Sequence, residues 1–178
     1  MAQLPAADRP RCLHPAAVLH GHLDILTPVT IQREFRASVV IACPPERAFD
    51  YVADHRNVAP VLEGVTRWEP RGRATGAGAR YRVEIIALGV SLPAELRLDQ
   101  WQRPRRIGWV SEPGSAWQRG RWTFTPAPGG VRVELRIAYR LPRLAAVLAP
   151  LAPPVEALVR RRLERALERI RDRLEAAA

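Results

Sequence analysis

The sequence predicts an α+β fold, in which a curved antiparallel sheet of six or seven strands holds a long C-terminal helix and two short helices follow the first strand. Three observations carry that expectation. Residues 64–141 alternate apolar and polar side chains in short runs, the period of half-buried strands. The connections between those runs, "RGRATGAG", "LGV", "QRP", "EPGS" and "PAPGG", are far shorter than the crossover of roughly a dozen residues that parallel neighbours need, so successive strands pair as an antiparallel meander. The terminal "PVEALVRRRLERALERIRDRLEAAA" sets Val155, Val159, Leu163, Ala166, Leu167, Ile170 and Leu174 on one helical face, which only the sheet is available to cover.

Each element follows from its residues. Residues 1–32 have frequent Pro and Ala and no sustained period, and read as a flexible N-terminal extension ahead of a single domain, 33–178. Phe35, Ala37, Val39 and Ile41 alternate as a first strand. Pro44 and Pro45 then stop it: neither can donate to a ladder, whereas proline suits the first turn of a helix. Ala48, Phe49, Val52 and Ala53 recur at helical spacing in that helix, and Asn57, Pro60 and Gly64 break the next stretch into a second short helix or turn. Six strands are expected at about 64–70, 79–88, 91–101, 105–112, 117–125 and 130–141. A final helix of about twenty residues spans roughly 30 Å, enough to cross such a sheet.

Composition excludes several classes of function. With 178 residues and 47% hydrophobic content, the chain can bury one core. Its longest apolar stretch, 144–159, is interrupted by Pro150, Pro153, Pro154 and Glu156 and cannot span a membrane. Asp8, Arg9 and Pro10 fall where a secretory signal would be apolar, so the cytoplasm is the expected compartment. Cys12 and Cys43 do not make a disulfide framework, and Cys12, His14, His20 and His22 fit no closed zinc spacing; no metal and no cofactor are expected. The net charge of +10 comes from Arg alone, dispersed at alternating strand positions rather than in a run with aromatics, which argues for a solvated outer face over nucleic-acid binding.

The alternation assigns faces. Tyr81, Val83, Ile85, Ala94, Leu96, Leu98, Ile107, Trp109, Trp122, Phe124, Val131, Val133, Leu135, Ile137 and Tyr139 share the apolar face. Arg80, Arg82, Arg97, Arg119, Arg121, Arg132, Arg136 and Arg140 share the other. Extending the parity places Gln100, Ser111 and Gln118 inward, and Arg67, two residues after Val65, with them. A sheet bent around one helix cannot close along its whole length, so a ligand-sized space is expected between the two. Tyr81, Tyr139 and His55 are the candidate proton-moving groups; Trp109, Trp122, Ser111, Gln118, Gln100, Leu96, Phe124 and Arg67 are the candidate ligand contacts. Core filling is the competing role for the tryptophans, structural hydrogen bonding for the tyrosines, a helix-end surface position for His55, and an outward or rim position, the favoured one, for Arg67.

The stretches "SVVIACPPERAFDYVADHRNVAPVLEGV", "GAGARYRVEI", "QRPRRIGWVSEPG", "GRWTFTPAPGGVRVELRIAYRLP" and "RRRLERALERIRDRLE" resemble the START-like, or SRPBCC, superfamily in its bacterial polyketide cyclase/dehydrase branch, over residues 36–175. The resemblance implies the helix-grip fold and a lyase-type cyclisation or dehydration of a polyketide-like substrate in an apolar cavity, by a monomer or homodimer. It implies an interior Arg and Tyr to hold such a chain, for which Arg67 is the candidate Arg. The superfamily also contains lipid and quinone carriers and a ribosome-associated protein, so carriage without chemistry and a surface-interaction role are the alternatives. Peripheral membrane contact through the Arg-rich side of the last helix belongs with carriage.

Overall fold

The computed structural model describes residues 31–87, 90–115, 117–141 and 152–177. Its elements in chain order are β1 (Ile31–Ile41), α1 (Pro45–Ala53), α2 (His55–Val58), β2 (Val65–Pro70), β3 (Arg80–Ala87), β4 (Val90–Gln102), β5 (Arg106–Ser111), β6 (Gln118–Ala127), β7 (Gly130–Leu141) and α3 (Ala152–Ala176). The seven strands form one antiparallel sheet in the order β1-β7-β6-β5-β4-β3-β2, a meander whose last strand returns to pair with the first. This is the helix-grip arrangement. Candidate positions Cys12, His14, His20 and His22 lie outside the described residues.

The double proline acts as the sequence implies. Pro44 caps α1, Pro45 occupies its first turn, and the Pro44 carbonyl accepts from the Arg47 and Ala48 amides. The buried face of α1, made of Ala48, Phe49 and Val52, packs onto the sheet, with Phe49 at 5.4 Å from both Phe124 and Trp101 in edge-on contact. Asp54 caps α2 by accepting from the Arg56 amide at 3.0 Å.

α3 runs beside β1 and is tied at both ends. Glu156 meets Arg33 at 2.8 Å near the start of both elements, and Glu175 accepts from the Ala42 amide at 3.0 Å just past the end of β1. The geometry matches: 156 to 175 is about 28 Å of helix, and 33 to 42 is about 30 Å of strand. Leu163, Leu167, Ile170 and Leu174 are buried in one continuous core with Ile41, Val131, Val133 and Leu135, and Ala166 is buried as well. On the opposite flank Glu63 binds Arg165 at 2.8 Å, Arg169 at 3.2 Å and Arg162 at 3.6 Å, which fastens α3 to the segment entering β2. The two edges of the bent sheet therefore both hold the helix.

The outer face is less cationic than a count of its arginines implies. Arg36 and Arg136 share Glu134, Arg80 and Arg97 share Glu112, Arg82 pairs with Glu95, and Arg119 approaches Asp99.

Two β-bulges alter which residues face inward. Between Val65 and Arg67 the β2–β3 register shifts by one residue, leaving Thr66 as the extra residue; between Leu98 and Gln100 the β4–β5 register shifts likewise, leaving Asp99 extra. Because side chains alternate with period two, one extra residue exchanges the faces beyond it. Arg67 consequently points outward, exposed and 3.5 Å from Glu69, while Trp68 turns in. Gln100 sits opposite Gly108 on the outer face, and Trp101 pairs with inward Ile107. The inward placements expected for Arg67 and Gln100 are thus corrected by the same mechanism.

Candidate functional site

The interior space lies between the short helices and the middle of the sheet. α1 and α2 contribute Val52, Ala53, His55 and Val58; β2 and β3 contribute Trp68 and Tyr81; β4, β5 and β6 contribute Leu96, Leu98, Trp101, Ile107, Trp109 and Trp122. Among the described residues none from β1, β7 or α3 lines it. That corrects the expectation of a groove beneath the long helix, and the reason is packing: the small and branched side chains of α3 fill their contact with the sheet. The chamber is also smaller than a ligand-sized groove. Its volume is about 30 Å³, whereas a void of about 10–15 Å³ by this measure holds one water. Beyond it an open cleft of about 540 Å³ is lined by Asp50, Ala53, Asp54, His55, Arg56, Ala74, Thr75 and Trp101. Ala53, His55 and Trp101 line both and form the wall between them.

Four indoles dominate the chamber, and their positions have local causes. Trp68 and Trp101 face inward because of the bulges. Trp109 lies flat over Gly120 of the neighbouring strand: a Cβ at Gly120 would fall 1.9 Å from the indole, so only glycine leaves room for the ring. Trp122 pairs with Ile107 one step along. The indole nitrogens of Trp68 and Trp109 are buried and have no hydrogen-bond partner among the described residues.

The polar groups are fewer and mostly uncharged. His55 sits with its ring 5.5 Å from Tyr81 and Nδ1 3.8 Å from Asp54 Oδ1. Burial lowers the His55 pKa below the ordinary imidazole value, partly opposed by the Asp54 carboxylate, so the ring is neutral at pH 7. Asp54 is held down to about 2, first by its hydrogen bonds from Arg56. Burial raises the Tyr81 phenol, and its hydroxyl donates to the Ala74 carbonyl, tying the glycine-rich β2–β3 connection over the cleft. Arg103 grips Asp50 with two bonds of 2.8 Å and fixes the β4–β5 turn to α1.

The remaining sequence candidates divide. Tyr81, His55, Trp109, Trp122 and Leu96 are brought together in the chamber wall. Tyr139 is not: it is half-buried 6.3 Å from Phe35, four strands from Tyr81, or about 19 Å along the sheet. Burial pushes its hydroxyl up to about 12. Phe124 is core packing under Phe49, and Gln118 is buried outside the chamber wall. The Ser111 hydroxyl accepts from the Gln118 amide at 3.1 Å and shapes the β5–β6 connection. Trp68 and Trp101 were legible only in an odd interval: apolar residues at 65 and 68, and at 98 and 101, are three apart where unbroken alternation requires two or four. No Arg lines the chamber and no group of three or more potential metal ligands occurs among the described residues.

Residues 32–175 match the family described as polyketide cyclase / dehydrase and lipid transport. The chain belongs to this family. A solved structure of the protein TTHA0849 from Thermus thermophilus is 27% identical with a TM-score of 0.67, over 82% of this chain and 99% of that one. The protein DR_A0006 from Deinococcus radiodurans shares the fold at 20% identity and a TM-score of 0.63, over 82% of this chain and 99% of that one. The di-domain ARO/CYC BexL from the BE-7585A biosynthetic pathway shares it at 19% identity and a TM-score of 0.59, over 79% of this chain and 49% of that one. No curated protein matches the chain. The present member has a chamber lined by four tryptophans and adjoining a charged cleft, and no helix of the described residues is long and apolar enough to cross a membrane.

Proposed function

We propose that the protein binds a hydrophobic small molecule of polyketide type at the indole-lined chamber and promotes its cyclisation or dehydration. The observation that carries this reading is an apolar chamber whose wall to an open cleft contains the His55 imidazole. A space of about 150 Å³ is needed for a benzene-sized guest, so a ligand enters from the cleft by displacing the Trp101 side chain past His55. His55 then takes a proton from a carbon activated by a neighbouring carbonyl. The resulting enolate carbon attacks a second carbonyl of the same chain, the new alkoxide recovers the proton, and loss of water completes the dehydration. No oxidant or reductant enters that balance. Tyr81 positions His55 and the cleft loop, since its own proton is already given to Ala74. The family description and the ARO/CYC fold relative support the substrate class.

The test has two parts. Mild extraction of freshly purified protein followed by mass spectrometry identifies what the chamber retains. Incubation with a short poly-β-ketone should give a cyclised product that falls about a hundredfold in His55→Gln, the scale of a lost general base. A product distribution equal to that without protein, alongside a ligand that exchanges unchanged, rejects catalysis in favour of carriage.

A further inference from the structure

Two of the chamber's four indoles present N–H groups that meet no acceptor among the described residues, and this feature specifies the ligand more closely than apolar lining does. Trp68 Nε1 and Trp109 Nε1 are both buried without a partner among the described residues, and both side chains line the same small space. An indole N–H is a donor only. The other polar groups do not complete it: the Tyr81 hydroxyl is bonded to the Ala74 carbonyl, and His55 faces Tyr81 and Asp54. Trp109 is preset in orientation, because its ring is seated on Gly120 with no room for a side chain beneath it. A chamber of about 30 Å³ admits one or two small polar atoms and excludes a ring.

We propose that this chamber is an oxygen-recognition pocket, in which the indole N–H groups of Trp68 and Trp109 donate to a carbonyl, enolate or phenolate oxygen at one end of a flat apolar ligand. The proposal rests on the hydrophobic-ligand reading above and adds the group the ligand must carry. The ring body of the ligand occupies the place where Ala53, His55 and Trp101 divide chamber from cleft. Hydrocarbons of the same shape are discriminated against, since they leave both donors unpaired in apolar surroundings. In a cyclisation the same donors stabilise the oxygen on which negative charge develops while His55 holds the proton.

The probes are 9-fluorenone and fluorene, flat molecules that differ at one carbon, titrated into the full chain by calorimetry. Fluorenone should bind about tenfold more tightly than fluorene, the effect of one buried hydrogen bond. Trp109→Phe, with its near-ultraviolet dichroism checked for a native fold, should bring the ratio of its own fluorenone and fluorene affinities down toward unity. Independently of any variant, two of the five indole N–H resonances of the unaltered protein should move downfield with fluorenone and stay in place with fluorene. Equal affinity for the two probes, or stationary indole resonances with fluorenone bound, overturns the oxygen pocket and leaves hydrophobic binding standing. Failure of both probes to bind overturns the hydrophobic-ligand reading and the pocket with it.

Discussion

The two halves of the sheet are built differently. β1, β7 and β6 pair without interruption, from Ile31 opposite Leu141 to Ile41 opposite Val131 and from Gln118 opposite Tyr139 to Ala127 opposite Gly130. Val131, Val133 and Leu135 are fully buried there, and among the described residues none from β1 or β7 lines the chamber. β2 to β5 contain both bulges, both unpartnered indole nitrogens and most of the chamber wall. Regular register gives close packing, and interrupted register gives shaped space. The difference teaches that stability and binding are assigned to separate parts of one continuous sheet.

Matched truncations test that division most severely. Leu135→Ala should destabilise by about 4 kcal/mol in denaturant titration, as a cavity opened in a core that cannot collapse, with ligand affinity unchanged. Leu96→Ala, at the chamber wall, should cost about 2 kcal/mol and alter ligand affinity. Equal costs with equal effects on binding would erase the distinction. Gly120→Ala sharpens it at the seam where β6 meets β5: the new methyl group collides with the Trp109 ring, so about 2 kcal/mol of overpacking should appear together with a shift of indole fluorescence.

A smaller effect is expected where α3 meets the binding half. Glu63→Gln removes the carboxylate shared by three partly exposed arginines, and about 1 kcal/mol should be lost at neutral pH and low salt, less at high salt. Hydrogen bonds from Arg165 lead in holding the Glu63 pKa below its usual value, so this contribution is present above the unfolded carboxylate range and disappears as pH falls through the folded value. His55 supplies the smallest effect. Its folded pKa is depressed, so the unfolded chain binds its proton first and stability declines as pH drops below about 6.5. His55→Gln should flatten that part of a melting-temperature profile.

The packed half could be read from the chain because nothing interrupts its alternation. Phe35, Ala37 and Ile41 face Ile137, Leu135 and Val131 as period two requires. The stripe on α3 was equally legible, since a 3.6-residue period survives along the whole helix. The chamber was legible where it uses strands before any bulge, as at Tyr81 and Leu96, or strands without one, as at Trp109 and Trp122. It was misread where parity was carried across Thr66 and Asp99, which sent Arg67 and Gln100 inward and overlooked Trp68 and Trp101. No local propensity marks those two residues; each bulge is settled by pairing with the neighbouring strand. The place of the void was hidden for a similar reason, because it depends on how tightly α3 seats against β1, a property of two distant segments together.

Thr66 and Asp99 behave as phase shifters for everything downstream in their strands. A homologue lacking either residue would keep its indole inward in an unbroken ladder, whereas one carrying a single further residue there would set guanidinium or amide where this chain sets indole. Ligand preference among such proteins can therefore change through insertion, and roles are best transferred between them by strand pairing.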